Sequence, residues 1–139
     1  MALLAALPTL FVASLTTFFI GGTWYSPALF LKRWTEERKR HGETKAIVTH
    51  NEMVLVWSLV YSLIGAAVTY TLLHGLTGGH PTLLDGVGLG VMLGGGVTGT
   101  SLGIQYGFAE RGFTLLAIDA AYHVVQFVAY GIVIALWPW

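Results

Sequence analysis

The chain reads as an all-α integral membrane protein: a four-helix bundle with a short amphipathic interfacial helix between spans 1 and 2. Three observations predict this fold. Four apolar stretches, over residues 2–23, 53–73, 83–108 and 113–137, are long enough to cross a hydrocarbon core of about 30 Å as helices, which takes roughly 20 residues. Charged residues make up only 10% of the 139, too few to clothe a soluble domain of this length. The basic residues are also concentrated: Lys32, Arg33, Arg38, Lys39, Arg40 and Lys45 share one segment, and Arg111 is the seventh. The chain is therefore expected to be a single transmembrane domain, with spans at about 2–25, 51–74, 82–108 and 113–137 and a cytoplasmic amphipathic segment at about 27–45.

Cytoplasmic loops are enriched in Lys and Arg, so segment 32–45 should face the cytoplasm. With four spans, the Arg111 loop then lies on the same side, and both termini and the 74–82 turn lie outside. Span 1 has no positive n-region, and its apolar run is long for a signal peptide, so it is read as a retained helix. Pro8 falls near its start, where a missing N–H is tolerated. Ala6, Thr9, Ala13, Thr16 and Ile20 recur at helical spacing as a mostly small stripe, and Trp24 and Tyr25 close the span as interfacial aromatics. Ser26-Pro27 reads as an N-cap followed by proline at N1, opening a helix over 27–40 whose Phe30 and Trp34 lie beside a basic face.

Glu52, after His50 and Asn51, heads span 2 at a helix N-terminus, where the dipole stabilises a carboxylate. Ser58, Ser62, Gly65 and Thr69 give this span a small face for close packing in lipid. Span 3 holds nine of the eighteen glycines, so it is expected to be the most buried helix. Gly95, Gly99, Gly103 and Gly107 repeat every four residues and are assigned to close helix packing; Gly86, Gly90 and Gly94 repeat on another face. A hinge or ligand-lining helix is the functional alternative. Glu110-Arg111 reads as a local ion pair before span 4, and Trp137-Pro138-Trp139 as an interfacial anchor after it. Gly21-x-x-Trp24 and Gly103-x-x-Tyr106 sit at equivalent ends of spans 1 and 3, as a parallel duplication of two hairpins would place them.

One set of polar residues lies clearly inside a span. Asp119, His123, Gln126 and Tyr130 fall within about 60° of the helical wheel, with His123 about 15 Å from the start of span 4, near the midplane. An ionisable residue there is costly and should face protein or water. The four are expected to form an inward line shared with span 2 or span 3, serving as a proton relay, a ligand site or a structural hydrogen-bond network. Elsewhere chemistry is scarce. There is no cysteine, and no phosphate loop, HExxH or Ser-His-Asp order, so no catalytic residue and no enzyme activity is expected. His74, His80 and Asp85 near the outer turn match no strong ligand spacing, and no metal or cofactor is expected.

The string Gly21-Gly22-Thr23-Trp24-Tyr25-Ser26-Pro27-Ala28-Leu29-Phe30-Leu31-Lys32-Arg33-Trp34 resembles the signature G-x-x-W-Y-S-P-x-x-F-G-K-x-W of an uncharacterised prokaryotic four-span membrane family, domain of unknown function 1761. Gly21, Trp24, Tyr25, Ser26, Pro27, Phe30, Lys32 and Trp34 match; Leu31 stands where the family usually has glycine. The segment 119–131, with Tyr122-His123 inside it, resembles the family's last span. The resemblance implies a bacterial or archaeal cytoplasmic-membrane protein and carries no activity.

Two functions compete. One is a small homo-oligomeric transporter or channel for a small solute or proton, with a dimer favoured because four spans enclose little space. The other is a structural or accessory subunit of a larger membrane complex. The lipid bilayer is the expected partner, and nucleic acid is not.

Overall fold

The computed structural model describes residues 2–43 and 52–137. Lys45, His50, Asn51, Pro138 and Trp139 lie outside them, together with the expectations attached to those residues. Every regular element among the described residues is helical. After a single turn at Ala2–Ala5 come α1 (Leu7–Trp24), α2 (Leu31–Arg40), α3 (Glu52–Thr77), α4 (Leu83–Phe108) and α5 (Phe113–Leu136). All but α2 are long and apolar enough to cross a membrane. Pro8 lies in the first turn of α1. Glu52 lies in the first turn of α3. Asp85 closes a reciprocal capping box with Thr82 at the start of α4.

The centre of the bundle is α5, against which α1, α2, α3 and α4 all pack. This corrects the expectation for span 3: only 17% of α4's apolar window is buried, against 28% for α1 and α5. Its glycines serve one contact instead of two. A Cβ on Gly90 would fall 2.5 Å from Val128 Cα, and one on Gly94 would fall 2.5 Å from the His123 carbonyl oxygen. Gly86 meets Gly131 backbone to backbone in the same way. The assigned stripe does not make the close approach. Cβ atoms at Gly95 and Gly103 would make ordinary contacts with Val124 and Leu116 at 3.5 and 3.8 Å, and Gly107 has nothing within 4 Å. Gly99 faces the Gly94 carbonyl of its own helix at 3.3 Å. The reason lies in the winding. Residues Met92–Gly99 form a π-helix, with i→i+5 hydrogen bonds, which carries the contact line from Gly86, Gly90 and Gly94 on to Gly95, Gly99 and Gly103, all facing α5.

The connection after α1 also differs from expectation. No helix starts at Ser26-Pro27; α2 begins at Leu31, without a side-chain cap. Residues 26–30 form successive turns, in which the Ser26 carbonyl accepts from Leu29 and Leu31 N–H and the Trp24 carbonyl from Phe30 N–H. These turns bend the chain back under α5. Trp24, Tyr25 and Trp34 consequently point into the protein and not along an interface.

At the same end, Glu43 accepts from Arg38 Nε at 2.7 Å and pairs with Arg111 Nη2 at 2.8 Å. Arg111 therefore pairs with Glu43 rather than with Glu110. Glu110 takes a left-handed φ of 54°, and Arg111 lies over the Tyr106 ring. The basic loop and the Arg111 loop thus share one end of the bundle, called the basic end below.

The opposite half is a dry core of Ala6, Leu10, Ala66, Tyr70, Leu73 and Ile134. In α1 the inward stripe runs through Thr9, Leu10, Ala13, Ser14 and Thr17, with Thr16 and Ile20 at its margin. In α3, Ser62 and Thr69 are buried and Gly65 lies against Tyr130 and Phe127. The α3 turns nearest the basic end differ: residues 54–57 are exposed on every side.

Candidate functional site

Asp119, buried on α5, is the focus of the basic half. Three side chains converge on its carboxylate: Tyr25 O–H donates to Oδ1 at 2.7 Å, Trp34 Nε1–H to Oδ1 at 2.9 Å, and Tyr106 O–H to Oδ2 at 2.6 Å. The donors come from the turn after α1, from α2 and from α4, so one acceptor-only group ties three segments to the central helix. One residue earlier, Trp24 Nε1–H donates to the Ile118 carbonyl at 3.1 Å. Trp24 is seated by Phe30, whose ring centroid lies 4.7 Å away.

Further along α5, His123 Nδ1 and Gln126 Oε1 are 2.9 Å apart, with the proton on Nδ1. Gln126 Nε2 donates to Thr17 Oγ1 at 3.1 Å and to the Tyr130 hydroxyl at 2.8 Å, and Thr17 and Tyr130 are bonded to each other. All four residues of the expected line turn inward, but they form two clusters. Asp119 accepts from three donors, and among the described residues it makes no bond to His123. Of the two expected neighbours, α4 supplies Tyr106 and α3 supplies none among the described residues; the other partners are Thr17 of α1, Tyr25 after it and Trp34 of α2.

Two cavities flank these clusters. The larger, about 580 Å³, lies at Asp119 between α2, α4 and α5, and is walled mainly by Tyr25, Trp34, Tyr106 and Tyr122. The smaller, about 320 Å³, lies deeper and is edged by hydroxyls and amides, including Thr17, Ser58, Ser62, Thr98 and Gln126. Tyr122 and His123 line both. The π-helical part of α4 backs this shared wall, because Gly94 lies on the His123 carbonyl. Wide i→i+5 turns recur at functional sites.

This geometry gives the signature string its meaning. Trp24, Tyr25 and Trp34 hold the chain to residues 118 and 119, and Phe30 supports Trp24. Ser26 and Pro27 make the turn between them, and Gly21 lies beside the Tyr122 ring, where a Cβ would make an ordinary contact at 3.5 Å. Lys32 is exposed on α2. The family described as protein of unknown function (DUF1761) matches residues 9–135, and so includes both the string and its carboxylate. The chain belongs to the DUF1761 family. No curated protein and no solved structure matches it. DUF1761 membership covers α1 to α5 almost entirely, which makes the Asp119 node part of the family's own body and not an appendage.

Sequence reasoning missed Thr17, Tyr106 and Tyr122 as site residues. The signal for Tyr106 was its position, equivalent to Trp24 at the matching end of span 3. Thr17 carried none, because a threonine in an apolar helix normally bonds its own backbone.

Proposed function

We propose that this DUF1761 protein is a small homo-oligomeric transporter for a small solute. We place it in the cell membrane, with its basic end in the cytoplasm and both termini outside. The observation that carries this reading is the distribution of space around α5. Two cavities, one at the basic end beside Asp119 and one beyond His123 beside α3, share Tyr122 and His123 as a common wall. Two compartments divided by one wall suit a carrier that alternates between two closures better than a continuous channel.

The homo-oligomer is argued from α3, whose residues 54–57 present apolar side chains on every side at the basic end. A second copy would give these turns a neighbour. The same turns favour a second reading, a structural or accessory subunit seated in a larger membrane complex.

Polar thiol reagents separate the two, because they react in water and not in a dry core. The chain has no native cysteine, so single cysteines report cleanly. Leu102→Cys at the larger cavity and Ser58→Cys at the smaller should both be modified in membranes when the reagent reaches the basic end. If the folded variants resist modification at both positions, the cavities are dry and the transporter reading fails.

A further inference from the structure

We infer that the cavity at Asp119 binds an organic cation, a fully substituted ammonium group held over aromatic faces. The inference rests on the transporter reading for its cargo, and names the class of that cargo. Four of the eight lining residues are Tyr25, Trp34, Tyr106 and Tyr122, whose ring faces carry negative quadrupole density. A cation within about 6 Å of such a face is attracted to it, most strongly where water is excluded.

Charge points the same way. No cationic side chain pairs with Asp119 among the described residues; its partners are all neutral O–H and N–H donors. Arg38 and Arg111, both paired with Glu43, lie over the Trp34 ring at 4.6 Å and the Tyr106 ring at 5.0 Å, so two of the four rings already hold a cation on one face. Asp119 is thus buried in the cavity wall with neutral partners alone, and a cationic ligand would give it a charged one.

Hydrogen bonding narrows the class further. Asp119 already accepts three bonds, from the Tyr25 and Tyr106 hydroxyls and the Trp34 indole, which leaves one carboxylate lone pair and the hydroxyl oxygens as acceptors. A primary ammonium brings three N–H groups that need acceptors. A quaternary group needs none and spreads its charge over its alkyl surface. A volume of about 580 Å³ lies within the range of small-molecule sites, roughly 300–1,000 Å³.

The test is equilibrium binding of choline to the purified full chain in lipid nanodiscs. The control is choline's neutral isostere, with a quaternary carbon in place of nitrogen. Choline should bind and the isostere should bind about tenfold more weakly. Asp119→Asn, which keeps an acceptor for Tyr25 and Trp34, should weaken choline about tenfold. Tyr122 donates no hydrogen bond among the described residues, so Tyr122→Phe should leave binding within about twofold, while Tyr122→Leu should weaken it about tenfold. Should Asp119→Asn unfold, the Tyr122 pair decides. Equal binding of cation and isostere overturns the inference, as does the absence of choline binding, or an unchanged affinity in Asp119→Asn or Tyr122→Leu. None of these results touches the transporter reading, which stands or falls on thiol accessibility.

Discussion

Glu43 does at the surface what Asp119 does inside: one carboxylate gathers partners from separate segments. Its hydrogen bond to Arg38 is the main cause, with the Arg111 charge adding to it, of a pKa held below the ordinary glutamate range. A group whose folded pKa is depressed contributes stability above its unfolded pKa and loses it as pH falls through the folded value. Wild type should therefore melt higher than Glu43→Gln near neutral pH. The gap should close as the medium is acidified below the ordinary glutamate range, and thermal unfolding followed by circular dichroism measures it. A gap that persists unchanged in strong acid would show that the two arginines hold the loops without this carboxylate. Both pairs are part-exposed, so the effect should also shrink in high salt.

Among the elements, α4 shows how position decides what a glycine is for. Gly90 and Gly96 lie six residues apart on one helix, yet a Cβ at the first strikes the Val128 backbone and at the second meets nothing within 4 Å. Gly90→Ala should cost about 1–3 kcal/mol or more, as overpacking does when backbone must move. Gly96→Ala should be neutral or stabilising by up to about 1 kcal/mol, through the lower chain entropy of alanine. Denaturant titration in detergent compares the two directly. Apolar length and charge placement made the four long helices legible, because lipid demands both of any span. That both glycine stripes face one neighbour was not legible, since it depends on the π-helical winding of Met92–Gly99, and periodicity analysis assumes a uniform α-helix. The candidate site was half legible. Asp119, His123, Gln126 and Tyr130 were marked by their cost in lipid, whereas Trp24, Tyr25 and Trp34 looked interfacial because nothing local in the sequence distinguishes an indole facing headgroups from one facing a carboxylate.

At the scale of the whole molecule, the two loops joined through Glu43 define one basic end, and the 74–82 turn lies at the other. The excess of Lys and Arg predicts the basic end to be cytoplasmic. In intact cells an impermeant thiol reagent should label His80→Cys and spare Lys39→Cys until the membrane is opened. Both positions are exposed, so accessibility within the fold does not confuse the result. The opposite pattern would invert the proposed orientation and with it the side from which the cavities fill.

The central position of α5 also bears on how the chain is made. Ribosomes deliver α1 through α4 first, and although α1 packs on α3, all four await the one helix on which they converge. Tyr25 and Trp34 are 94 and 85 residues upstream of the carboxylate they serve, so their donors remain unsatisfied through most of synthesis. Contacts of such separation form late and slowly. Assembly of this bundle is therefore a terminal event, committed only when the last span enters, and a nascent chain stalled before Phe113 has the helices of the protein without its architecture.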